Sequence, residues 1–202
     1  MNTTRTAGMS HKERLLRQGM KMLYANGFHG TSVDALLAES GVPKGSFYHH
    51  FGSKDAFAQA VLDRYGRFQA ELLERWSARD ELRTAERITG YVGEMAELCV
   101  ESGHQRACLA GKLSTEVAAA SEPFRVRLGE QLLQWKQQLV DLLEGGRERG
   151  DVRTDSSTGD LADSILALIQ GAFVIALSTR DTHALDAVAT SISSLIEPAT
   201  GS

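Results

Sequence analysis

The chain is poor in proline, cysteine and aromatic residues, and each scarcity excludes something. Three prolines in 202 residues argue against a many-stranded sandwich punctuated by turns and favour long helices. Two cysteines, Cys99 and Cys108, stand nine residues apart with no CxxC pair and no His-rich partner set. A disulfide framework and a zinc site are therefore not expected, and reduced thiols in a cytoplasmic protein are. The first 16 residues, MNTTRTAGMSHKERLL, lack the apolar stretch of a secretion signal. The most apolar segment, Ile165 to Leu177, runs for 13 residues and is interrupted by Gln170. That falls short of the roughly 18–20 residues of a membrane span, so a buried helix and no membrane partner are expected. No segment alternates with a period of two, and no repeat is visible.

Charge is distributed unevenly. The net charge of -4 hides a basic N-terminal quarter, since residues 1–54 carry seven Lys/Arg against three acids and the remainder carries 15 against 23. A basic contact surface on an acidic body fits a nucleic-acid partner.

The helices can be placed from caps and periodicity. Residues 1–9 are small and polar and suggest a flexible arm. Residues 10–26 put Leu16, Met20 and Leu23 on one face, and Gly27 ends that helix. Thr31 to Asp34 has the form of a capping signal before Leu36 and Leu37. Gly41 stops the second helix, Pro43 opens a third over roughly 44–50, and Ser53 caps a long fourth from Lys54 towards Trp76. Further helical blocks are expected near 81–101, 105–120, 122–149, 158–179 and 183–196. This is an all-α chain.

Residues 27–55, GFHGTSVDALLAESGVPKGSFYHHFGSKD, encode two short helices joined by a tight turn, within the size range of a helix-turn-helix. Leu36, Leu37 and Val42 would pack the pair. Lys44, Gly45, Ser46, Tyr48 and His49 would face outward, a polar face without an acid that suits a major groove. Gly45 permits close backbone approach, and Tyr48 and His49 can donate to phosphate oxygens. Each residue also has a plain structural reading: Thr31 and Ser53 as caps, Lys44 as a solvated cation, Phe47 as core.

The segment resembles the tetracycline-repressor family of transcriptional regulators. Gly27, Phe28, Thr31, Ser32, Val33, Gly41, Val42, Gly45, Ser46, Tyr48, His50, Phe51, Ser53, Lys54 and Asp55 all stand in register with its head motif. The chain departs from it at Gln18-Gly19, Leu37 and Ser40, where alanines are common, and at Pro43, often a serine; the glycine is expected to loosen the first helix slightly.

The resemblance implies an N-terminal three-helix DNA-binding head over 10–54 and a C-terminal ligand-binding and dimerisation bundle over 55–202. It implies a ligand-responsive repressor that binds a (pseudo)palindromic double-stranded DNA operator as a homodimer and leaves it when a small-molecule effector binds. Thr31 and Ser32 would touch a phosphate, Lys44, Ser46 and His49 base edges, and Tyr48 and Lys54 further phosphates, while His50 and Phe51 face inward. The last two helices would form the dimer interface, with Gly171, Ala172 and Ala176 permitting close approach and Leu185, Val188, Ile192 and Leu195 adding apolar contact.

Effector candidates are Phe68, Tyr91, Met95, Cys108, Trp135, Gln170 and Phe173, for each of which core packing is the alternative. Cys108 is expected near a helix start, with His104 and Arg106 close by, an environment that activates a thiol. This stretch is similar to a branch of the family that responds to electrophiles or small unsaturated acids. Catalytic residues, metal and cofactor are not expected: Glu101-x-x-His104 matches one half of a di-metal ligand pair, but the second copy is missing and Gly103 lies inside it. A helical adaptor is a further alternative, and it has no use for KGSFYHHF between capped helices; an activator is another reading within the same class.

Overall fold

The computed structural model describes residues 9–198, and those residues form nine α-helices and no strand. In chain order they are α1 (His11–Asn26), α2 (Val33–Ser40), α3 (Lys44–Phe51), α4 (Lys54–Ser77), α5 (Thr84–Glu101), α6 (Leu109–Val117), α7 (Glu122–Arg149), α8 (Thr158–Thr179) and α9 (His183–Ile196). Of the arm expected over 1–9, all but Met9 lies outside the described residues.

Two compact units share the chain. Unit 1 takes the described residues up to Arg67 together with Leu109–Leu128. It therefore holds α1 to α3, the first turns of α4, α6 and the beginning of α7, and the boundary expected at residue 54 falls inside it. Ser10 caps α1 by accepting from the Glu13 N–H at 3.2 Å. The buried stripe of α1 is Leu15, Leu16, Gly19, Met22 and Leu23. Met20, expected in that stripe, is only half-buried, because the stripe advances by three and four from the Leu15–Leu16 pair to Gly19 and then to the Met22–Leu23 pair.

Gly19 has a packing role that its helix propensity conceals. A Cβ there would collide with the ring of Phe57 on α4. The ring fills the notch as part of an aromatic cluster in which Phe47 and Phe51 of α3 lie 5.3 and 5.0 Å from Phe57. Gly27, at φ +69°, ends α1. Its successors Phe28 and His29 donate their N–H groups to the two carboxylate oxygens of Glu116 on α6, at 2.9 and 2.7 Å. Lys112, one turn earlier on α6, donates to the Tyr24 carbonyl at 2.5 Å. These two side chains satisfy backbone groups left over where α1 ends.

Unit 2 takes Phe68–Cys108 and the described residues from Gly129 onward. Here α9 packs against both α5 and α8. Leu185, Val188 and Ile192, expected at a dimer interface, are buried within the chain instead, and Leu195 is half-buried. They form the inner face of α9, because a helix with one apolar stripe buries it against the nearest apolar neighbours, which its own chain supplies. Ala187, Thr190, Ser191 and Ser194 form the exposed face.

Helix α8 has 22 residues and an 18-residue window of mean hydropathy 1.9. By length and composition the whole helix meets the requirement for a span, which the 13-residue segment Ile165 to Leu177 does not. It buries Leu161, Ile165, Ile169, Ala172, Phe173 and Ala176 in unit 2. Its other side exposes Leu168, Val174 and Ile175.

Candidate functional site

The helix pair α2–α3 is built by its caps. Ser32 accepts from the Ala35 N–H at 3.1 Å, and Gly41 closes α2 in the left-handed conformation. The cap is thus Ser32 rather than Thr31. The Thr31 hydroxyl donates to the Gly27 carbonyl at 2.7 Å, and the residue is only 3% exposed. The structure therefore corrects Thr31 as a hydroxyl contact to phosphate: its side chain is occupied in closing the α1–α2 turn. Pro43 precedes α3 without a side-chain cap, and its carbonyl accepts from the Ser46 N–H at 2.9 Å. Arg14 of α1 donates to the Ser40 carbonyl at 2.6 Å, fixing the end of α2.

Only Phe47 of α3 is fully buried. Lys44, Gly45, Tyr48 and His49 are exposed, and Ser46 is half-buried. A Cβ on Gly45 would meet nothing within 4 Å, so the backbone there is open to a partner. The Tyr48 ring meets Phe47 edge-on, 5.2 Å between centroids, and is 47% exposed. The packed ring edge orients the phenol while leaving it accessible. His50, expected to face inward, is exposed, since its ring flanks those of His49 and Phe51 at the end of α3. Phe51 does turn in and is half-buried.

Two neighbours qualify the face. Asp34 of α2 lies 3.4 Å from the Lys44 ammonium, with both side chains mostly exposed. The α3 face has no acid of its own, but one stands beside it. His11 shares a hydrogen bond with Ser46 at 3.1 Å. That residue escapes a reading of the motif because it lies 35 positions away. Lys54, half-buried at the start of α4, sits with its ammonium 4.4 Å from the Phe28 ring centroid. The cation–π contact holds it near the turn that Glu116 braces.

The ligand candidates fall into three groups. Tyr91, Cys108, Trp135 and Gln170 come together in unit 2. Tyr91 and Trp135 meet edge-on at 6.1 Å, and the Gln170 amide donates to the Cys108 sulfur at 3.1 Å. Burial pushes the Tyr91 phenol well above its ordinary pKa, with Cys108 adding to the effect. Met95 and Phe173 are buried in the same unit, one turn from Tyr91 and three residues from Gln170 on their respective helices.

Phe68 does not join them: it is 40% exposed. Its successor Gln69 takes the inward position, accepting from the Tyr91 hydroxyl at 2.9 Å. One residue along a helix turns a side chain by about 100°, enough to exchange the two. Cys108 immediately precedes α6, as expected, but Arg106 is exposed. Among the described residues no group of three or more His, Cys, Asp and Glu is placed to hold a metal. Glu101 ends α5, and Gly103 and His104 adopt positive φ beyond it, so Glu101 and His104 do not share a helix face.

Comparison with known proteins gives one answer throughout. The family model described as bacterial regulatory proteins, tetR family, matches residues 15–61. The tetracyclin repressor-like C-terminal domain matches residues 84–192. The chain is 31% identical over 175 residues to the HTH-type transcriptional repressor NemR of Escherichia coli, covering 87% of this chain and 88% of that one. It is 28% identical over 189 residues to the HTH-type transcriptional repressor DhaR of a Mycobacterium species, covering 94% and 93%. The crystal structure of E. coli NemR in its reduced form superimposes with a TM-score of 0.85 at 30% identity, covering 94% of this chain and 98% of that one. The capped helix pair, the all-helical body and these likenesses agree, and the chain belongs to the TetR family of transcriptional regulators.

Proposed function

We propose that this protein is a cytoplasmic, ligand-responsive transcriptional repressor, which binds a (pseudo)palindromic operator as a homodimer and is released by a small-molecule effector. The observation that carries the reading is the outer side of α3, where Lys44, Gly45, Tyr48 and His49 stand exposed on a helix anchored by Phe47. In this reading Lys44, Ser46 and His49 meet base edges, while Ser32, Tyr48 and Lys54 meet phosphates. Thr31 serves through the backbone turn it closes. Repression is favoured because NemR and DhaR are named repressors.

One head buries too little surface for a specific site, so two are needed on two half-sites. The surface that suits pairing lies on α8, where Ala167, Leu168, Gly171, Val174, Ile175 and Ser178 are exposed or partly so at spacings of three and four. Val174 and Ile175 are 64% and 51% exposed, and Gly171 leaves open space where a Cβ would stand. A stripe of this kind accepts its own symmetry mate across a two-fold axis. Val174→Asp should convert the dimer to monomer in sedimentation and abolish operator binding. A monomeric wild type would remove this part of the proposal.

The effector reading rests on the cluster of Tyr91, Cys108, Trp135 and Gln170. A ligand shifts the equilibrium only by binding the DNA-incompetent arrangement more tightly, with about 1–3 kcal/mol of coupling typical of allostery. Cys108 supports a covalent version, since Gln170 directs a donor at its sulfur. A mild electrophile should release wild type from DNA and leave Cys108→Ser bound; equal release of both would end that version.

A gel-shift series at rising salt tests the whole. Specific binding should weaken with a steep log–log slope, and Lys44→Ala should reduce that slope if the lysine neutralises a phosphate, or relax base preference if it reads an edge. Failure to enrich any sequence from a random DNA pool would overturn the proposal.

A further inference from the structure

Within the effector cluster most polar groups already have partners. The Tyr91 hydroxyl donates to Gln69, and the Cys108 sulfur accepts from Gln170. Two groups beside it do not. The Trp135 Nε1 and the Gln131 Oε1 are buried atoms without a hydrogen-bond partner. Both belong to α7, and a spacing of four places them on one face, a turn apart. Trp135 is 6% exposed, and its ring is the one that meets Tyr91.

One of these atoms can only receive and the other can only give: an indole N–H is a donor, an amide oxygen an acceptor. Leaving them unmatched costs free energy comparable to a lost hydrogen bond, and native proteins keep few such groups without a reason. Both atoms are closed off in this arrangement, so a ligand reaches them only as the cluster opens. A molecule that satisfies both then favours the open arrangement over the closed one, which is the differential affinity an effector requires. The groups identified around it (Gln69, Tyr91, Cys108, Gln131, Trp135 and Gln170) bring no charged side chain, and a buried charge without a partner is strongly disfavoured.

We infer that the effector is a small neutral molecule with a carbonyl beside an N–H or O–H donor, its oxygen accepting from the Trp135 indole and its donor serving Gln131. This rests on the reading of the cluster as the effector site, and it adds the class of compound that the site would select.

The chain has two tryptophans, which makes the inference directly readable. Trp76 donates its indole N–H to Glu94 at 2.8 Å and serves as an internal control. Propionamide, N,N-dimethylpropionamide and propionate would be titrated into the full-length ¹⁵N-labelled protein, following the two indole resonances. Propionamide should move the Trp135 proton downfield saturably and leave that of Trp76 in place. The dimethyl amide, which lacks the N–H, should bind about fivefold more weakly, the worth of one ordinary hydrogen bond. Gln131→Leu should erase that difference, and because it removes an unmatched polar atom it should not lower the melting temperature. Tighter binding of propionate, equal binding of the two amides, or an unmoved Trp135 resonance would overturn the inference. A gel shift separates the two readings. A compound that releases DNA without moving Trp135 would sink this inference and leave the effector site standing. A moved resonance with DNA still bound would support the recognition chemistry and sink the effector role.

Discussion

On α3, the aromatic Phe47 is buried against Phe57 while its neighbours Lys44, Gly45, Tyr48 and His49 remain outside. In unit 2 the division is different: Tyr91, Cys108, Trp135 and Phe173 are the candidate ligand groups and are also core. The first arrangement separates the residues that hold the fold from those proposed to act. The second asks one set of side chains to do both. Substitutions on α3 should therefore divide cleanly into those that cost stability and those that cost DNA affinity, whereas substitutions in the Tyr91 cluster should affect stability and response together.

The sharpest test of that division uses adjacent residues. Phe47→Ala should destabilise the head by about 3–5 kcal/mol, as for other fully buried phenylalanines, measured by urea unfolding. Tyr48→Phe removes only a hydroxyl from a ring that is half outside. It should leave the unfolding midpoint unchanged and weaken operator binding by roughly the 0.5–1.5 kcal/mol of one hydrogen bond, or up to about 3 if the acceptor is a charged phosphate. If Tyr48→Phe cost as much stability as affinity, the division would fail at its best example.

This contrast also explains what could be read from the residues alone. A glycine without a turn, beside a lysine, a tyrosine and a histidine on one short helix, has no packing purpose, so Lys44, Gly45, Tyr48 and His49 read as an outward face, whereas His50 reads as inward and lies outside. Helix limits were legible for the same local reason: Ser10, Gly27, Gly41 and Ser53 act through bonds within a few residues. In the body, an apolar residue on a helix face can serve core, ligand or partner, and periodicity does not distinguish them. Leu185, Val188 and Ile192 read as a dimer surface and lie inside the chain; Phe68 reads as a pocket residue and lies outside. The polar identity of Gln69 and Gln131 carries no hint of burial, and the Glu116 brace leaves no local mark because it joins positions 87 and 88 residues apart.

That brace yields the next prediction. The Glu116 carboxylate holds two backbone amides of the α1–α2 turn, and Lys112 holds the carbonyl of Tyr24. Glu116→Ala leaves two amides without their acceptor. Unit 1 should lose about 1–3 kcal/mol, seen as faster amide exchange at Phe28 and His29. Operator affinity should fall as well, although Glu116 lies outside the helix pair, because the turn it braces carries Thr31 and precedes the Ser32 cap. Unchanged exchange at those two amides would show that the turn holds itself.

The smallest expected effect concerns a polar surface contact in unit 2. Glu94 accepts from the Arg75 guanidinium at 2.9 Å and from the Trp76 indole at 2.8 Å. Burial alone would raise its pKa, but these hydrogen bonds, with the charges of Arg75 and Arg79, outweigh burial and hold the carboxyl below the usual carboxylate range. A carboxylate whose folded pKa is depressed contributes stability that is fully present above its unfolded value. That contribution is lost as pH falls through the folded one. The window therefore lies below the ordinary glutamate carboxyl value, and neutral solution is unaffected. Because the Arg75 side chain is 60% exposed, the contribution should lie in the range of about 0–1 kcal/mol found for surface pairs. Glu94→Gln should flatten the stability loss on the acid side of the ordinary carboxyl range and leave operator binding at neutral pH untouched. Loss of DNA affinity in this variant would mean that the Glu94 contact with Arg75 and Trp76 also influences operator binding, and the contrast between the two regions would have to be redrawn around Trp76.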